Sequence, residues 1–416
     1  MGSKRPVQID MFEDSRDDGG FSSWLSRARK AQYSLERVKN PYVGNKRKLL
    51  VDLASVLFEE GLSDVVDGGN VLDLFTGSGF VGYFFKSMGS CVWANDILGS
   101  SYLNATSLII PQFTGNMALA KQFTEQLLDP SGKPAGTRIL DNYCPLRFSE
   151  AEAKRLDIIR GNMNSDDRDF ADICFDKLTS SVEPIWMMHY GKEPDPPTKE
   201  YSNYIPYTNA VVALTHYLMN CCFVGGRLNS GQIIAKYEHR VAHQRNAGYE
   251  MGFSADDIPL FEIPVHGDRV CKTTRSDAIE LLRSDNKYAK EALDSLDLVY
   301  IDPPYGGEQS DYSAMYDFIE DFLFYGSPNR DVIKDAKRFA AAKTYKESFV
   351  ELLDSLPKQA IWMFSYNDSS WSDIDGIVDT IKMFRNKVSV SEIDYKYHYR
   401  KDQSSGTEYV ITVRPE

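Results

Sequence analysis

The chain has 416 residues, and 47 Lys and Arg against 60 Asp and Glu leave a formal net charge of −13. That acidity excludes a protein that coats nucleic acid through bulk charge, but not an enzyme that holds nucleic acid in a local basic cleft. With 42% hydrophobic and 26% charged residues the composition excludes global disorder and a fibrous repeat, and the length predicts two or three domains, or one large core with a big insertion, at roughly 150 residues per domain.

Residues 1–38 read as a polar leader, partly helical from Trp24 to Val38. It begins without an apolar stretch that would mark a signal peptide, and Pro6 spoils the acylation pattern that Met1-Gly2 suggests. The turn-rich string Asn40-Pro41-Tyr42-Val43-Gly44-Asn45-Lys46 then opens a helical run from Lys48 to Leu57. Val71-Leu72-Asp73-Leu74-Phe75 is a short apolar strand, Thr76-Gly77-Ser78-Gly79 a glycine turn, and Phe80 to Met88 a helix. A second strand, Cys91 to Ala94, ends at Asn95-Asp96. Strand, turn, helix and strand in that order start a parallel α/β sheet.

From 111 to 264 this rhythm lapses into Asn-, Tyr-, Asp- and Pro-rich sequence with helical runs at 149–160 and 208–222, as expected of an inserted, mostly helical domain. It resumes with a strand at Arg269-Val270-Cys271-Lys272, a helix starting at Asp277, and the buried-looking strand Leu296 to Ile301. A helix from Tyr316 to Tyr325, a strand from Gln359 to Phe364 and a hairpin at 388–399 and 407–413 complete the chain. The organisation expected is therefore a leader at 1–38, a catalytic α/β domain from 39–110 and 265–416, and an insertion at 111–264. The six cysteines form no CxxC pair and read as reduced thiols. The apolar run from Val211 to Val224 contains Thr215, His216 and Asn220 and is too short and polar to span a membrane. A cytoplasmic protein without a membrane segment is the expectation.

Two motifs carry chemistry. In Asp73-Leu74-Phe75-Thr76-Gly77-Ser78-Gly79, two glycines sit where backbone must approach a ligand closely, and Asp96 closes the next strand, where a carboxylate can accept both hydroxyls of a ribose. A glycine turn alone fits an ordinary strand–turn–helix as well, and Asp73 fits a capping residue. The sharper signal is Asp302-Pro303-Pro304-Tyr305. Consecutive prolines fix two φ angles and remove two N–H donors, aiming carbonyls stiffly beside a carboxylate and an aromatic ring. An exocyclic amine needs such a receptor: two acceptors for its hydrogens and a ring to stack on its base. A rigid surface turn is the other reading of Pro-Pro.

A glycine turn, an acidic strand end, an insertion and then DPPY at the end of a later strand together resemble the Dam-type DNA adenine N6-methyltransferases. These have the cofactor motif first and the recognition domain in the middle. Tyr42-Val43-Gly44-Asn45-Lys46 resembles their aromatic-x-Gly-x-Lys segment, departing mildly at Tyr42 and Asn45 from the frequent Trp-Ala-Gly-Gly-Lys. Ser365-Tyr366-Asn367 and Tyr397-His398-Tyr399-Arg400 before Glu408-Tyr409-Val410-Ile411 resemble the C-terminal segments. The likeness covers roughly 40–110 and 265–413. It implies a Rossmann-like S-adenosylmethionine methyltransferase sheet and an inserted target-recognition domain acting on double-stranded DNA.

What the resemblance implies for single residues is as follows. S-adenosylmethionine is held by Tyr42, Gly44 and Lys46 at its methionine end and by Asp96 at the ribose. Asp277 lies at the adenine, and Asp73, Phe75, Gly77 and Gly79 form the close turn. Asp302, Pro303, Pro304 and Tyr305 act on a flipped-out adenine. Within the insertion, Arg227, Lys236, Arg240 and Arg245 belong to the most basic piece, and Gln244 and Asn246 flank Arg245 with bidentate groups that read purines. With Arg400 they are the candidates for DNA contact, a solvated helix face being the other reading. His239 and His243 have metal-ligand spacing but lack the Glu of an HExxH pattern, so no metal is expected. Tyr201, Tyr204 and Tyr207 read as core rather than a stacking face. A companion restriction endonuclease is a further partner to expect. Cytosine N4 or RNA adenine as the acceptor, and an idle methyltransferase fold, are the alternatives; the leading Asp of the DPPY motif favours adenine.

Overall fold

The computed structural model describes residues 18–42, 44–110, 117–163, 199–222, 251–264, 271–304, 316–323, 338–339, 342–367, 372–396 and 405–416. Seven strands form one sheet: β1 (Asn70–Asp73), β2 (Cys91–Asp96), β3 (Lys272–Arg275), β4 (Leu298–Ile301), β5 (Ile361–Asn367), β6 (Val388–Lys396) and β7 (Ser405–Val413). Their order is β3-β2-β1-β4-β5-β7-β6. The first five are mutually parallel, and β7 inserts antiparallel between β5 and β6. This is a mixed α/β, Rossmann-like fold.

The strands alternate between two cores with the period of a pleat. Val71, Val92, Leu298 and Tyr300 face one core, and Leu72, Trp93, Val299 and Ile301 face the other. Helices cover both faces, which is why the central strands are apolar on both sides. On the first face lie α1 (Asp18–Leu35), α2 (Leu50–Glu59), a short α3 (Ser63–Val66), α4 (Phe80–Ser87) and α5 (Gly99–Ile109). The leader is thus partly docked. Trp24, Ala28, Ala31 and Leu35 recur at the 4–3–4 spacing of one helix stripe and are buried, and the Trp24 indole donates to Ala54 O at 2.8 Å.

The middle segment supplies α6 (Met117–Leu127), α7 (Arg138–Tyr143), α8 (Glu150–Met163) and α9 (Lys199–Cys222). Phe123, Phe148, Ile159, Tyr207 and Leu214 join the same core as Phe80 and Phe84, so the described helices of this segment pack on the sheet's first layer. His216 on α9 bonds Asn104 on α5 at 2.9 Å, and burial drops its pKa to about 3, which keeps it neutral. Tyr207 is buried, with its hydroxyl donating to Met163 O at 3.1 Å, as the core reading expected. The side chains of Tyr201 and Tyr204 lie outside the described residues.

On the second face lie α10 (Ala278–Leu282), α11 (Lys287–Asp294), α13 (Ala342–Ser355) and α14 (Ile374–Lys382), while α12 (Asp317–Leu323) meets the first. One strand differs from its sequence reading. β3 runs 272–275 rather than ending at Lys272. Its residues are polar because they carry a buried ladder rather than an apolar face. Trp93 Nε1 donates to Thr274 Oγ1 at 2.9 Å, Thr274 Oγ1 donates to Asn95 Oδ1 at 2.8 Å, and Thr273 meets Thr106 at 3.0 Å. Among the described residues no helix is long and apolar enough to cross a membrane, and Cys91, Cys144 and Cys271 are free thiols.

Candidate active site

The order β3-β2-β1-β4-β5 places the switch point between β1 and β4, where successive strands are laid down in opposite directions. In open α/β sheets the crevice outside the carboxyl ends of such strands binds ligand. Here β1 ends at Asp73 and leads into the glycine turn, while β4 ends at Ile301 and leads into Asp302. Register sets Asp73 opposite both Ala94 on β2 and Tyr300 on β4, so the two motifs emerge side by side. They are more than 220 positions apart in sequence, and only the parallel pairing joins them.

The turn is built for close approach. Gly77 and Gly79 have φ of 52° and 78°, the left-handed region that favours glycine. A Cβ on Gly77 would sit 3.0 Å from the Tyr42 ring, and one on Gly79 3.1 Å from Leu108 Cδ1. Thr76 N bonds Asn95 O at 2.9 Å and Gly79 N bonds Thr76 O at 2.8 Å, closing the loop onto β2. Tyr42 lies over this turn and stacks on Tyr316 at 4.9 Å with an interplanar angle of 12°. Asn40 Oδ1 accepts from Tyr42 N, Asn45 Nδ2 donates to Tyr42 O, and Gly44 takes a φ of 78°. The Tyr42–Lys46 segment therefore folds against the glycine turn as one wall of the crevice. Phe75 packs edge-on against Phe339 at 5.4 Å.

Two carboxylates brace the floor. Asp96, at the end of β2, accepts from Gly77 N at 2.8 Å through Oδ2 and from Leu98 N at 2.9 Å through Oδ1. Burial pushes its pKa up to about 6 despite those bonds. Asp73 accepts from Thr76 Oγ1 at 2.9 Å, and burial, aided by the charges of Asp302 and Asp96, raises it to about 7. Asp277 is the N-cap of α10, with Oδ1 accepting from Ile279 N at 2.9 Å and Glu280 N at 3.1 Å. Asp96 and Asp277 follow adjacent parallel strands, and Ser276 N bonds Asp96 O at 3.1 Å.

Lys46 reaches across to the end of β4. Its Nζ is 3.4 Å from Asp302 Oδ1 and 2.5 Å from Glu408 Oε1, and its side chain is only 10% exposed. Burial works against its charge, yet Asp302 and Glu408 outweigh that and hold its pKa well above the ordinary lysine value. Glu408 also accepts from Ser365 Oγ at 2.5 Å. Pro303 is buried and Pro304 half-buried, so the segment after Asp302 is held stiffly at the carboxyl end of β4.

Of the residues singled out in the sequence, Tyr42, Gly44, Lys46, Asp73, Gly77, Gly79, Asp96 and Asp302 converge on this crevice. Tyr305, Arg227, Lys236, Arg240, Gln244, Arg245, Asn246 and Arg400 lie outside the described residues, as do His239 and His243. Among the described residues there is no group of three or more His, Cys, Asp or Glu able to hold a metal ion. Sequence reasoning gave no role to Glu408. The signal was an acidic residue at the inward position of an alternating strand, two before the buried Val410.

A sheet of this order with a glycine turn and an acidic proline corner at its switch point defines a Rossmann-like methyltransferase. Residues 42–132 match the family model described as D12 class N6 adenine-specific DNA methyltransferase. The chain is also similar to the Type II methyltransferase M2.HphI of Haemophilus parahaemolyticus, at 22% identity over 374 residues, covering 89% of this chain and 96% of that protein. No solved structure matches. The family match over residues 42–132 and the sequence resemblance both point to adenine-specific DNA methyltransferases, and the relative is likewise a methyltransferase.

Proposed function

We propose that the chain transfers the methyl group of S-adenosylmethionine to N6 of an adenine flipped out of double-stranded DNA, at a specific recognition sequence. The observation that carries this reading is Asp302 at the carboxyl end of β4, beside buried Lys46 and across the switch point from the Gly77–Gly79 turn.

The crevice fits the cofactor: glycines where a Cβ would collide, a buried ammonium, and carboxylates at the ends of β2 and before α10. Bound there, S-adenosylmethionine supplies an electrophilic methyl group on a sulfonium. Lys46, with Tyr42 and Gly44, would hold its carboxylate end, and Asp73, Phe75, Gly77 and Gly79 would form the close backbone wall. Asp96 would accept the ribose hydroxyls on the lone pairs left beside its two N–H bonds, and Asp277 would face the adenine.

The acceptor nitrogen is a poor nucleophile because its lone pair is delocalised into the ring. Asp302 and the Pro303 carbonyl would accept its two hydrogens, turning it toward tetrahedral geometry, with Tyr305 stacked on the base. Asp302 would then hold the proton that N6 sheds. Such catalysis is positioning plus preorganised electrostatics. A base inside a duplex cannot reach this corner, so it must be flipped at a cost of a few kcal/mol. We assign sequence readout to the middle segment, with Arg227, Lys236, Arg240, Gln244, Arg245 and Asn246 as contacts, joined by Arg400 from the C-terminal part of the catalytic domain. The Type II relative supports the reading of a companion restriction endonuclease, and DNA as substrate supports the reading of a cytoplasmic enzyme associated with the nucleoid.

Incubation with methyl-labelled S-adenosylmethionine and, in parallel, unmethylated genomic DNA and total RNA tests the reading. Label is expected in N6-methyladenine; label in cytosine, only in RNA, or in neither overturns it. A second expectation follows from Asp96. Its ionised form accepts the ribose hydroxyls, so cofactor affinity should rise as pH increases through about 6 and level off above that. Asp96→Asn should weaken binding by about 10- to 100-fold, the range for hydrogen bonds to a charged group, and flatten this pH dependence. Calorimetric titration between pH 5 and pH 8 reads both, and a wild-type affinity that does not vary with pH contradicts the assignment.

A further inference from the structure

Lys46 stands between two carboxylates, and the contacts are unequal. Its ammonium is 2.5 Å from Glu408 Oε1 but 3.4 Å from Asp302 Oδ1. Glu408 is fixed from three sides. Its backbone on β7 pairs with Asn367 on β5 and Ile393 on β6, and Ser365 Oγ donates at 2.5 Å to the same oxygen that meets Lys46. Its side chain is 6% exposed, so the carboxylate is committed to these partners rather than to water.

We infer that Glu408 is a positioning residue of the transfer site: it draws the Lys46 ammonium toward itself and so weakens its hold on Asp302, leaving Asp302 a stronger acceptor for the N–H of the incoming amine. The inference rests on the function proposed above. Were Glu408 uncharged, Lys46 would have one strong anionic partner left among the described residues at this corner and would close onto Asp302. A carboxylate in full contact with an ammonium is a weaker acceptor for an amine hydrogen. The charged and titratable groups around Asp302 among the described residues are Lys46 from the first wall, Asp73 from β1, with Asp96 behind it on β2, Tyr300 from β4 and Glu408 from β7. Removing the negative charge at 408 therefore favours the ionised form of Asp302 and disfavours the charged form of Lys46.

Glu408→Gln keeps shape and the acceptor oxygen while deleting the charge. Single-turnover rates at saturating S-adenosylmethionine and unmethylated genomic DNA should fall by about 10- to 100-fold, the usual cost of removing a partner that orients a functional group. The acid limb of the rate–pH profile should move to lower pH by about one unit. A merely structural role would lower the amplitude and leave that limb in place, and that result, or a wild-type rate, overturns the inference. Glu408→Asp, which withdraws the charge by one methylene, should slow transfer and lower the acid limb as well. If Glu408→Gln does not fold, an unmoved acid limb in Glu408→Asp overturns the inference. Wild-type enzyme run alongside separates the two levels: N6-methyladenine formed with an unaltered Glu408→Gln rejects this inference only, whereas no N6-methyladenine rejects the function itself.

Discussion

An Asp302→Ala enzyme should lose methyl transfer by about 10³-fold while binding S-adenosylmethionine nearly as well as wild type, the loss expected when a preorganised group at the reacting atom is removed. The corner survives the change. Lys46 keeps its shorter contact, 2.5 Å to Glu408, and Glu408 keeps Ser365, so no buried charge is stranded. Asp73, which feels the Asp302 charge, is relieved of a repulsion. What disappears is the acceptor for one amine hydrogen and the group that holds the proton N6 sheds. Single-turnover kinetics with labelled cofactor, paired with calorimetric cofactor binding, separate chemistry from binding. Undiminished transfer would sink the role assigned to Asp302, and a parallel collapse of cofactor affinity would move it from the reacting atom to the cofactor site.

Lys46→Met should damage both stability and cofactor binding. The ammonium is nearly buried and offsets Asp302 and Glu408 together. Breaking a buried pair by deleting one partner leaves uncompensated charge and costs about 3–5 kcal/mol. The two stranded carboxylates then face the place of the lost ammonium, Asp302 after β4 and Glu408 on β7 beyond β5, with the Asp73 charge close to Asp302. Protons neutralise them, so the loss relative to wild type should be smaller at pH 5 than at pH 8. Thermal unfolding at the two pH values measures this. An equal loss at both, or none, would show that Lys46 does not neutralise the corner. Calorimetry on the variant should find cofactor affinity reduced in proportion to the lost charge contact.

How far the site was legible before folding varies by residue. Gly77 and Gly79 announced a close turn because only glycine takes left-handed φ without strain, and both do so at 52° and 78°. Asp302-Pro303-Pro304 announced a stiff corner for a similarly local reason. β3 was misplaced because its buried residues are threonines and an arginine, stabilised by partners on β2 and α5 that no local pattern displays. The leader read as polar because its apolar residues are spaced along one helix stripe, and the docked face emerges only when Trp24, Ala28, Ala31 and Leu35 align. The middle segment read as an insertion from its composition, and its described helices join the sheet's first core through contacts no local pattern displays.

By itself the sequence determined an alternating α/β chain, a glycine turn, an acidic proline corner and the amino-methyltransferase likeness these motifs carry together. All of these depend on backbone constraints acting over a few residues. Only the tertiary structure decided that Lys46, Asp302 and Glu408 form one electrostatic unit. Lys46 and Glu408 are 362 positions apart, and what brings them within 2.5 Å is the insertion of β7 beside β5 in a sheet whose register fixes every side chain to one face or the other.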